Sequence, residues 1–309
     1  MHPFTAQPAA SVSAWGEERL IRAIRRWLGP ASPRAPFGIG DDCAVLPASR
    51  GRQLITVDPV VFGRHFDASV PPRTVGAKLL KRNLSDLAAM GGRPTAAVLA
   101  LTLDGRVRQA WLEAFYRGLA ACARRHGVPI VGGDVTQADG IVAASLTLLG
   151  EAAGRRVLTR TGAKTGDWIY VTGRLGGSLA SGHHFRFTPR LAEGAWFAGR
   201  PEVRAMMDVS DGLAKDLHAL TPTGTQPALE PAKLPRRARA SLRAALTDGE
   251  DYELLLAVAQ HADRAALERD WAEAFPRTPL TCIGRFVPLS TPVPGAIRLA
   301  AYHGYEHLR

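Results

Sequence analysis

From residue 14 to 28, Trp15, Leu20, Ile21, Ile24, Trp27 and Leu28 fall on one stripe when the chain is wound at 3.6 residues per turn. The spacing predicts a helix over 14–28, which Gly29-Pro30 ends. The loop over 38–46 then runs into a short strand near 43–46, and 53–58 is a second strand. Residues 73–90 form a helix closed by Gly91-Gly92, and the apolar run 96–103 is strand-like. Another helix covers 108–126, with Trp111, Phe115, Leu119 and Cys122 along one side and Gly127 as its stop. Strands follow at 128–133 and 141–151.

A second set begins with a strand over 167–173 that enters a glycine-rich turn. Residues 206–213 are a short strand breaking into a helix, and 252–258 and 281–287 are buried strands. Residues 162–166 resemble a phosphate loop only superficially and read as a turn before a strand. Pro222, Pro227, Pro231 and Pro235 make 221–235 a loop or linker. Alternating strands and helices predict the α/β class, built as α+β layers. The boundary near Ala153 predicts two domains, 1–153 and 154–309.

Composition agrees with that division. A chain of 309 residues with 46% hydrophobic content can bury two cores. Glycine and proline show no period, and there is no solenoid repeat. Residues 1–14 lack the basic start and apolar stretch of a signal peptide, and no later segment is apolar for long enough to span a bilayer. Cys43, Cys122 and Cys282 lie far apart with no CxxC pair, so a reduced, cytoplasmic protein is expected.

The formal net charge of +11 suggests an anionic partner. The basic residues are dispersed, however: Arg22, Arg25 and Arg26 on one helix, Arg124 and Arg125 on another, and Arg236, Arg237 and Arg239 on a third. There is no aromatic interleaving and no nucleic-acid motif, so solvated helix faces or general anion attraction explain them better than nucleic acid does.

The acidic residues carry more information. Asp41, Asp42, Asp58, Asp86, Asp134, Asp208, Asp211, Asp248, Glu250 and Asp251 each lie beside glycine, at the end of an apolar segment, or both. Buried carboxylates need partners. Arginine could serve, but a divalent cation serves several at once. Magnesium takes oxygen ligands, usually one or two carboxylates per ion plus phosphates. Several aspartates from distant segments therefore suit two or more Mg²⁺ ions on a polyphosphate, and no His/Cys cluster has zinc spacing.

Each signal has a plainer reading beside it. Gly40-Asp41-Asp42 and Asp248-Gly249-Glu250-Asp251 could be solvated acidic turns, and Asp58 an ordinary strand end. Asp86 is late in its helix, where the macrodipole disfavours it, and it shares a face with Asn83; that placement asks for a cation. Gly132-Gly133-Asp134 ends a strand where backbone can approach a ligand. In 208–212, Ser210 reads as a helix N-cap with Asp211 in the first turn, and such a terminus also suits a phosphate. No Walker loop, dinucleotide fingerprint or protein-kinase set is present.

At these residues the chain resembles the thiamine-monophosphate kinase family, of the superfamily that includes aminoimidazole ribonucleotide synthetase and selenophosphate synthetase. The likeness begins near residue 17. It rests on 38–46, 56–66, 81–92, 131–136, 158–173, 206–213, 248–256 and 304–308. The resemblance implies a two-domain α/β fold of the synthetase type whose N-terminal domains pair in a homodimer. It implies ATP as co-substrate and thiamine monophosphate as acceptor. Asp42, Thr56, Asp58, Asp86, Asp208 and Asp211 would hold Mg²⁺. Gly133, Asp134, Arg160, Ser210 and Tyr116 would contact ATP. His65, Glu250 and Tyr302 would contact the acceptor, and Asp86, Asp211 and Arg160 would carry the transfer. A related ATP-dependent kinase or synthetase acting on another small phosphorylated acceptor is the alternative. The chain departs from the family at Val57, usually threonine, at Asp248, usually glycine, and in a shorter 174–200 segment.

Overall fold

The structure, a computed structural model, describes residues 1–40, 43–49 and 51–306. It divides into two compact units, residues 1–87 with 93–151 and residues 88–92 with 152–309. In the first unit α1 (Gly16–Leu28) buries Leu20, Ala23, Ile24, Trp27 and Leu28, and Gly29 ends it with a positive φ of 53°. Then come β1 (Gln53–Val61), α2 (Pro72–Ala89), β2 (Gly92–Leu103), α3 (Gln109–His126), β3 (Ile130–Gln137) and β4 (Val142–Ala152). The strands form one sheet in the order β1-β4-β2-β3, with β1 antiparallel to β4 and β2 parallel to β3. Burial alternates strictly along β4, so one face of the sheet carries the core.

The second unit contains β5 (Trp168–Thr172), α4 (Ser178–Ser181), α5 (His183–Arg186), α6 (Leu191–Ala198), β6 (Val203–Asp208) and α7 (Leu213–Leu220). β7 (Thr225–Leu229), α8 (Leu242–Thr247), β8 (Leu254–Val258), α9 (Arg264–Ala274) and β9 (Leu280–Pro288) complete it. Its sheet runs β6-β8-β5-β9-β7, and every neighbouring pair is antiparallel. Both faces are covered. Ile169, Val171, Leu255 and Ala257 pack with Leu213, Leu217 and Leu246 of α7 and α8 on one side. Tyr170, Leu254 and Leu256 pack with Phe197 and Trp271 of α6 and α9 on the other. All five residues of β8 are therefore buried, and the strand reads as a continuous apolar run.

Three sequence expectations change. Residues 43–46 form no strand. Residues 221–235 are not merely a linker, since β7 lies within them; Pro227 is tolerated because β7 is at the sheet edge, where a missing N–H breaks no inner ladder. Arg236, Arg237 and Arg239 lie on no helix: Arg236 bridges Leu175, Arg237 is irregular, and Arg239 is in a turn with φ 67°. Among the described residues, no helix is long and apolar enough to cross a membrane.

Candidate active site

In the first unit a cavity of about 180 Å³ opens where α1 lies beside α3 and β3. Ile21, Ile24 and Leu28 of α1 line it together with Leu99, Tyr116, Ile130 and the Gly132-Gly133-Asp134 strand. It thus gathers Gly133, Asp134 and Tyr116, three residues expected at ATP. A Cβ on Gly133 would lie 2.1 Å from the Leu99 carbonyl oxygen, so only glycine lets β3 lie this close to β2. Thr136 donates to the Asp134 carboxylate at 3.1 Å. Tyr116 is buried, its ring tilted by 35° against that of Trp27 at 5.9 Å, and its phenol is pushed well above the usual range by burial.

β1 and α2 carry the next group. Thr56 donates its hydroxyl to Asp86 at 2.6 Å. Arg82 donates to Asp58 at 3.3 Å and to the Pro59 carbonyl at 2.7 Å, so an arginine does reach one of the expected metal carboxylates. Asp86 is in the last turn of α2, as expected. Asn83, one turn earlier and fully buried, donates to the Leu79 carbonyl at 2.9 Å, while its Oδ1 accepts nothing from the described residues. His65 sits in the turn after β1. Its Nδ1 accepts the Val61 amide at 3.1 Å, so Nε2 is the nitrogen that carries the proton in the neutral ring and can donate to an anion.

In the second unit two loops lie side by side after β6 and before β8. The Glu250 amide donates to the Ser210 carbonyl at 2.7 Å, and that of Tyr252 to Val209 at 2.8 Å. Gly249, Glu250 and Tyr252 have φ of 70°, 51° and 51°. Two non-glycine residues held left-handed is the kind of local strain that clusters at functional sites. Tyr252 donates to the Glu250 carboxylate at 3.2 Å. Asp208, Ser210, Asp211 and Glu250 are thus neighbours. Asp211 pairs with Lys215 at 2.5 Å, and its carbonyl accepts the Tyr305 amide at 2.9 Å. Tyr302 is half-buried against the core of this unit. Arg160 is exposed beside β6, where the Thr159 carbonyl accepts the Met206 amide at 3.0 Å.

Ser210 does not cap α7. Gly212 holds that position with no side-chain cap. Asp216, from inside the helix, instead accepts the amides of Ser210, Asp211 and Gly212 at 2.9, 3.0 and 3.1 Å. These amides were expected to suit a phosphate, and a carboxylate takes them. Burial, with Asp211 beside it, pushes Asp216 up to about 7. Sequence reasoning overlooked Asp216; its only signal was a further acid one turn beyond Asp211. The apolar wall that α1 gives the cavity was read only as one stripe of a helix.

The donor set fits magnesium. Thr56, Asp58, Asp86 and the orphaned Asn83 Oδ1 in one unit, and Asp208 and Asp211 in the other, offer oxygen alone, as a hard cation requires. Among the described residues, no group of three or more His, Cys, Asp or Glu is gathered. Mg²⁺ needs only one or two carboxylates beside water and phosphate, so pairs are sufficient. Asp42 lies outside the described residues.

The AIR synthase related protein N-terminal domain family matches residues 40–152. The thiamine-monophosphate kinase of Salmonella typhimurium is 38% identical over 278 residues, covering 80% of this chain and 83% of that one. The chain belongs to the thiamine-monophosphate kinase family. A crystal structure of thiamine-monophosphate kinase from Stenotrophomonas maltophilia aligns with a TM-score of 0.73 at 32% identity, covering 87% of this chain and 93% of that one. AaThiL complexed with AMPPCP and TMP aligns with a TM-score of 0.70 at 27% identity, over 98% of this chain and 99% of that one.

The positions expected to depart from the family make local contacts. Asp248 accepts the Gly177 amide at 2.8 Å. Residues 174–200 are tied to the same loop: Ser178 donates to the Gly249 carbonyl, His183 Nε2 lies 3.2 Å from the Asp251 carbonyl, and Arg190 grips Glu253 with two bonds of 2.8 Å. Asp251 pairs with Arg237 and accepts the Gly176 amide at 3.1 Å. Asp248 and Asp251 therefore fasten the loop that presents Glu250. Val57 projects from β1 with 59% exposure.

Proposed function

We propose that the chain transfers the γ-phosphoryl group of ATP to thiamine monophosphate, giving thiamine diphosphate and ADP. The observation that carries this is the near-complete alignment with AaThiL complexed with AMPPCP and TMP. The cavity beside Gly133, Asp134 and Tyr116 is the proposed nucleotide site, and its apolar α1 wall suits a base. Arg160 and Ser210 join the phosphates. His65, Glu250 and Tyr302 receive the acceptor, with His65 Nε2 as a donor to its phosphate and Tyr302 as an aromatic wall for the thiamine rings. Residues 1–153 are the nucleotide, metal and dimerisation domain, and 154–309 the second α/β domain.

An ionised phosphate is already a nucleophile, so the reaction needs no strong general base. Two anions must instead be held in line while their charge is offset. Asp86 and Asp211 serve by holding cations and Arg160 by adding positive charge. Asp42, Thr56, Asp58, Asp86, Asp208 and Asp211 would hold Mg²⁺, which when bound would offset the charge of the phosphates. Thr56 orients the Asp86 carboxylate. The Asp248 and Asp251 contacts hold Glu250 on its strained backbone.

The protein is proposed to act as a homodimer in the cytoplasm. β1 is a sheet edge, and Ile55 and Val57 on it are 72% and 59% exposed. An exposed apolar edge asks for a partner. Three free cysteines suit a compartment that keeps thiols reduced.

The test is turnover of purified protein with ATP, Mg²⁺ and thiamine monophosphate, followed by chromatography of both products. Equal amounts of thiamine diphosphate and ADP are expected. ATP consumption that ignores thiamine monophosphate would sink the acceptor assignment.

A further inference from the structure

Residues 2–12 are firmly held in the first unit. The Thr5 amide donates to the Arg106 carbonyl at 2.9 Å, that of Val12 to Val107 at 2.8 Å, and that of Arg108 to Pro3 at 2.7 Å. Arg108 Nε donates to the Phe4 carbonyl at 2.8 Å, and Gln109 to that of Ser11 at 2.6 Å. The segment is thus fastened to residues 104–109, between β2 and α3. Asp104 is buried and grips Arg106 with bonds of 2.9 and 2.6 Å, and those bonds with the Gly140 amide hold its carboxyl far below the usual range. The Arg106 guanidinium lies 5.6 Å from the centre of the Phe4 ring.

From Phe4 a run of aromatic contacts leads to the turn that carries His65. Phe4 meets Phe62 edge-on at 5.8 Å, and His2 lies 5.7 Å from Phe4 and 5.9 Å from Phe62. Phe62 lies 5.6 Å from Phe66, and Phe66 stacks on Trp111 of α3 at 5.8 Å. Phe62 and Phe66 are bridged at the two ends of the turn, and the Gly63 amide donates to the Phe66 carbonyl at 2.9 Å. The phenylalanine at each end of the His65 turn thus rests on a separate support, Phe4 and Trp111.

We propose that residues 2–12 are a buttress that positions the His65 turn, with Phe4 as the positioning residue that reaches it through Phe62. The inference rests on the reading of His65 as a contact to the acceptor phosphate. The turn is closed by its own backbone bonds, and Lys78 Nζ donates to the His65 carbonyl at 3.4 Å; each ring that packs on it narrows further where the imidazole can stand. Phe4 lines no part of the nucleotide cavity, so its loss should act on one substrate and spare the other.

The experiment compares Phe4→Ala and Phe4→Leu in the full chain with wild type by two measurements. Hydrogen exchange of the 61–66 amides should quicken in Phe4→Ala and return towards wild type in Phe4→Leu. Unchanged exchange overturns the buttress. In steady-state kinetics, Phe4→Ala should raise KM for thiamine monophosphate roughly fivefold, the factor one aromatic pair supports, with KM for ATP and kcat within about twofold. A parallel rise in both KM values, or faster exchange with no change in KM for thiamine monophosphate, also overturns it. A wild-type enzyme that binds ATP but does not use thiamine monophosphate defeats the acceptor reading instead, and the exchange comparison then decides the buttress alone.

Discussion

A carboxylate in the last turn of a helix works against the macrodipole, and Asp86 keeps that place three residues from the end of α2. The Thr56 hydroxyl offsets part of this, and the unmet Asn83 oxygen nearby adds another acceptor. Removing the charge should therefore relieve the fold while damaging function. Asp86→Asn is expected to lower kcat by ~10²–10³-fold, as loss of a site that organises transition-state charge does, with no fall in Tm. A near wild-type kcat would remove Asp86 from the metal site. Gly133→Ala tests the cavity wall. Its Cβ would sit 2.1 Å from the Leu99 carbonyl, so β3 must move and about 1–3 kcal/mol of stability should be lost, readable by denaturant unfolding. His183 gives a pH prediction. Burial, and next the Arg237 charge, lower its pKa from 6.5 to about 4. The neutral ring then contributes stability that is present above pH 6.5 and lost as pH falls through 4. Asp251, pushed by burial up to about 7 against the pull of Arg237, acts in the opposite sense, losing stability as pH rises towards 7. The two overlap, so the comparison must be between proteins: His183→Asn should lose less Tm than wild type between pH 6.5 and 4. Equal losses would show that His183 is not held neutral.

At the scale of elements, what was legible followed periodicity. α1, α2 and α3 were readable because their apolar residues repeat at helical spacing and Gly29, Gly91 and Gly127 stop them with left-handed or otherwise positive φ. β8 was readable because both of its faces are covered, so every side chain is apolar. β7 was not. Its Pro227 argues for a loop until the strand is known to lie at an edge, and edge position depends on pairing with β9, far along the chain. The Asp216 cap was hidden for a like reason: Ser210 satisfies the local capping pattern, and only the folded loop shows that a residue inside the helix has taken its place. The expected site residues separate in the same way. Gly133, Asp134 and Tyr116 come together at one cavity, and Thr56 meets Asp86. Which acids bind ligand and which fasten loops was not readable from spacing, and Asp248 and Asp251 prove to do the latter. β1 carries the element-scale prediction. Replacing Ile55 and Val57 together by aspartate should convert a dimer to a monomer in sedimentation, because charge on an apolar edge opposes pairing. A wild-type chain that already sediments as a monomer at micromolar concentration would remove the dimer from the proposal.

At the scale of the whole molecule, the chain carries a net charge of +11 while its expected site residues are largely aspartates. Part of the excess is placed by helices. Arg25 and Arg26 stand in the last turn of α1, and Arg124, Arg125 and His126 in that of α3, where cations favour the negative end of the dipole. These positions explain why the basic residues are dispersed, and dispersion is a poor footprint for nucleic acid, which rewards a continuous basic track. The summed field remains, and both proposed substrates are anions. Steering by such a field acts on encounter and weakens as salt shortens the screening length to about 10 Å at 0.1 M. The expected outcome is a kcat/KM for thiamine monophosphate that falls as ionic strength rises, with kcat unchanged because the bound complex has already formed. Mg²⁺ must be held at a fixed free concentration through the series, so that loss of metal is not mistaken for screening. If kcat/KM is flat, the arginines serve their helices and solubility alone. If kcat falls in step, salt is acting on the site itself. A filter-binding series with duplex DNA separates the remaining case, since retention that weakens steeply with salt would make phosphate backbone the partner of the charge.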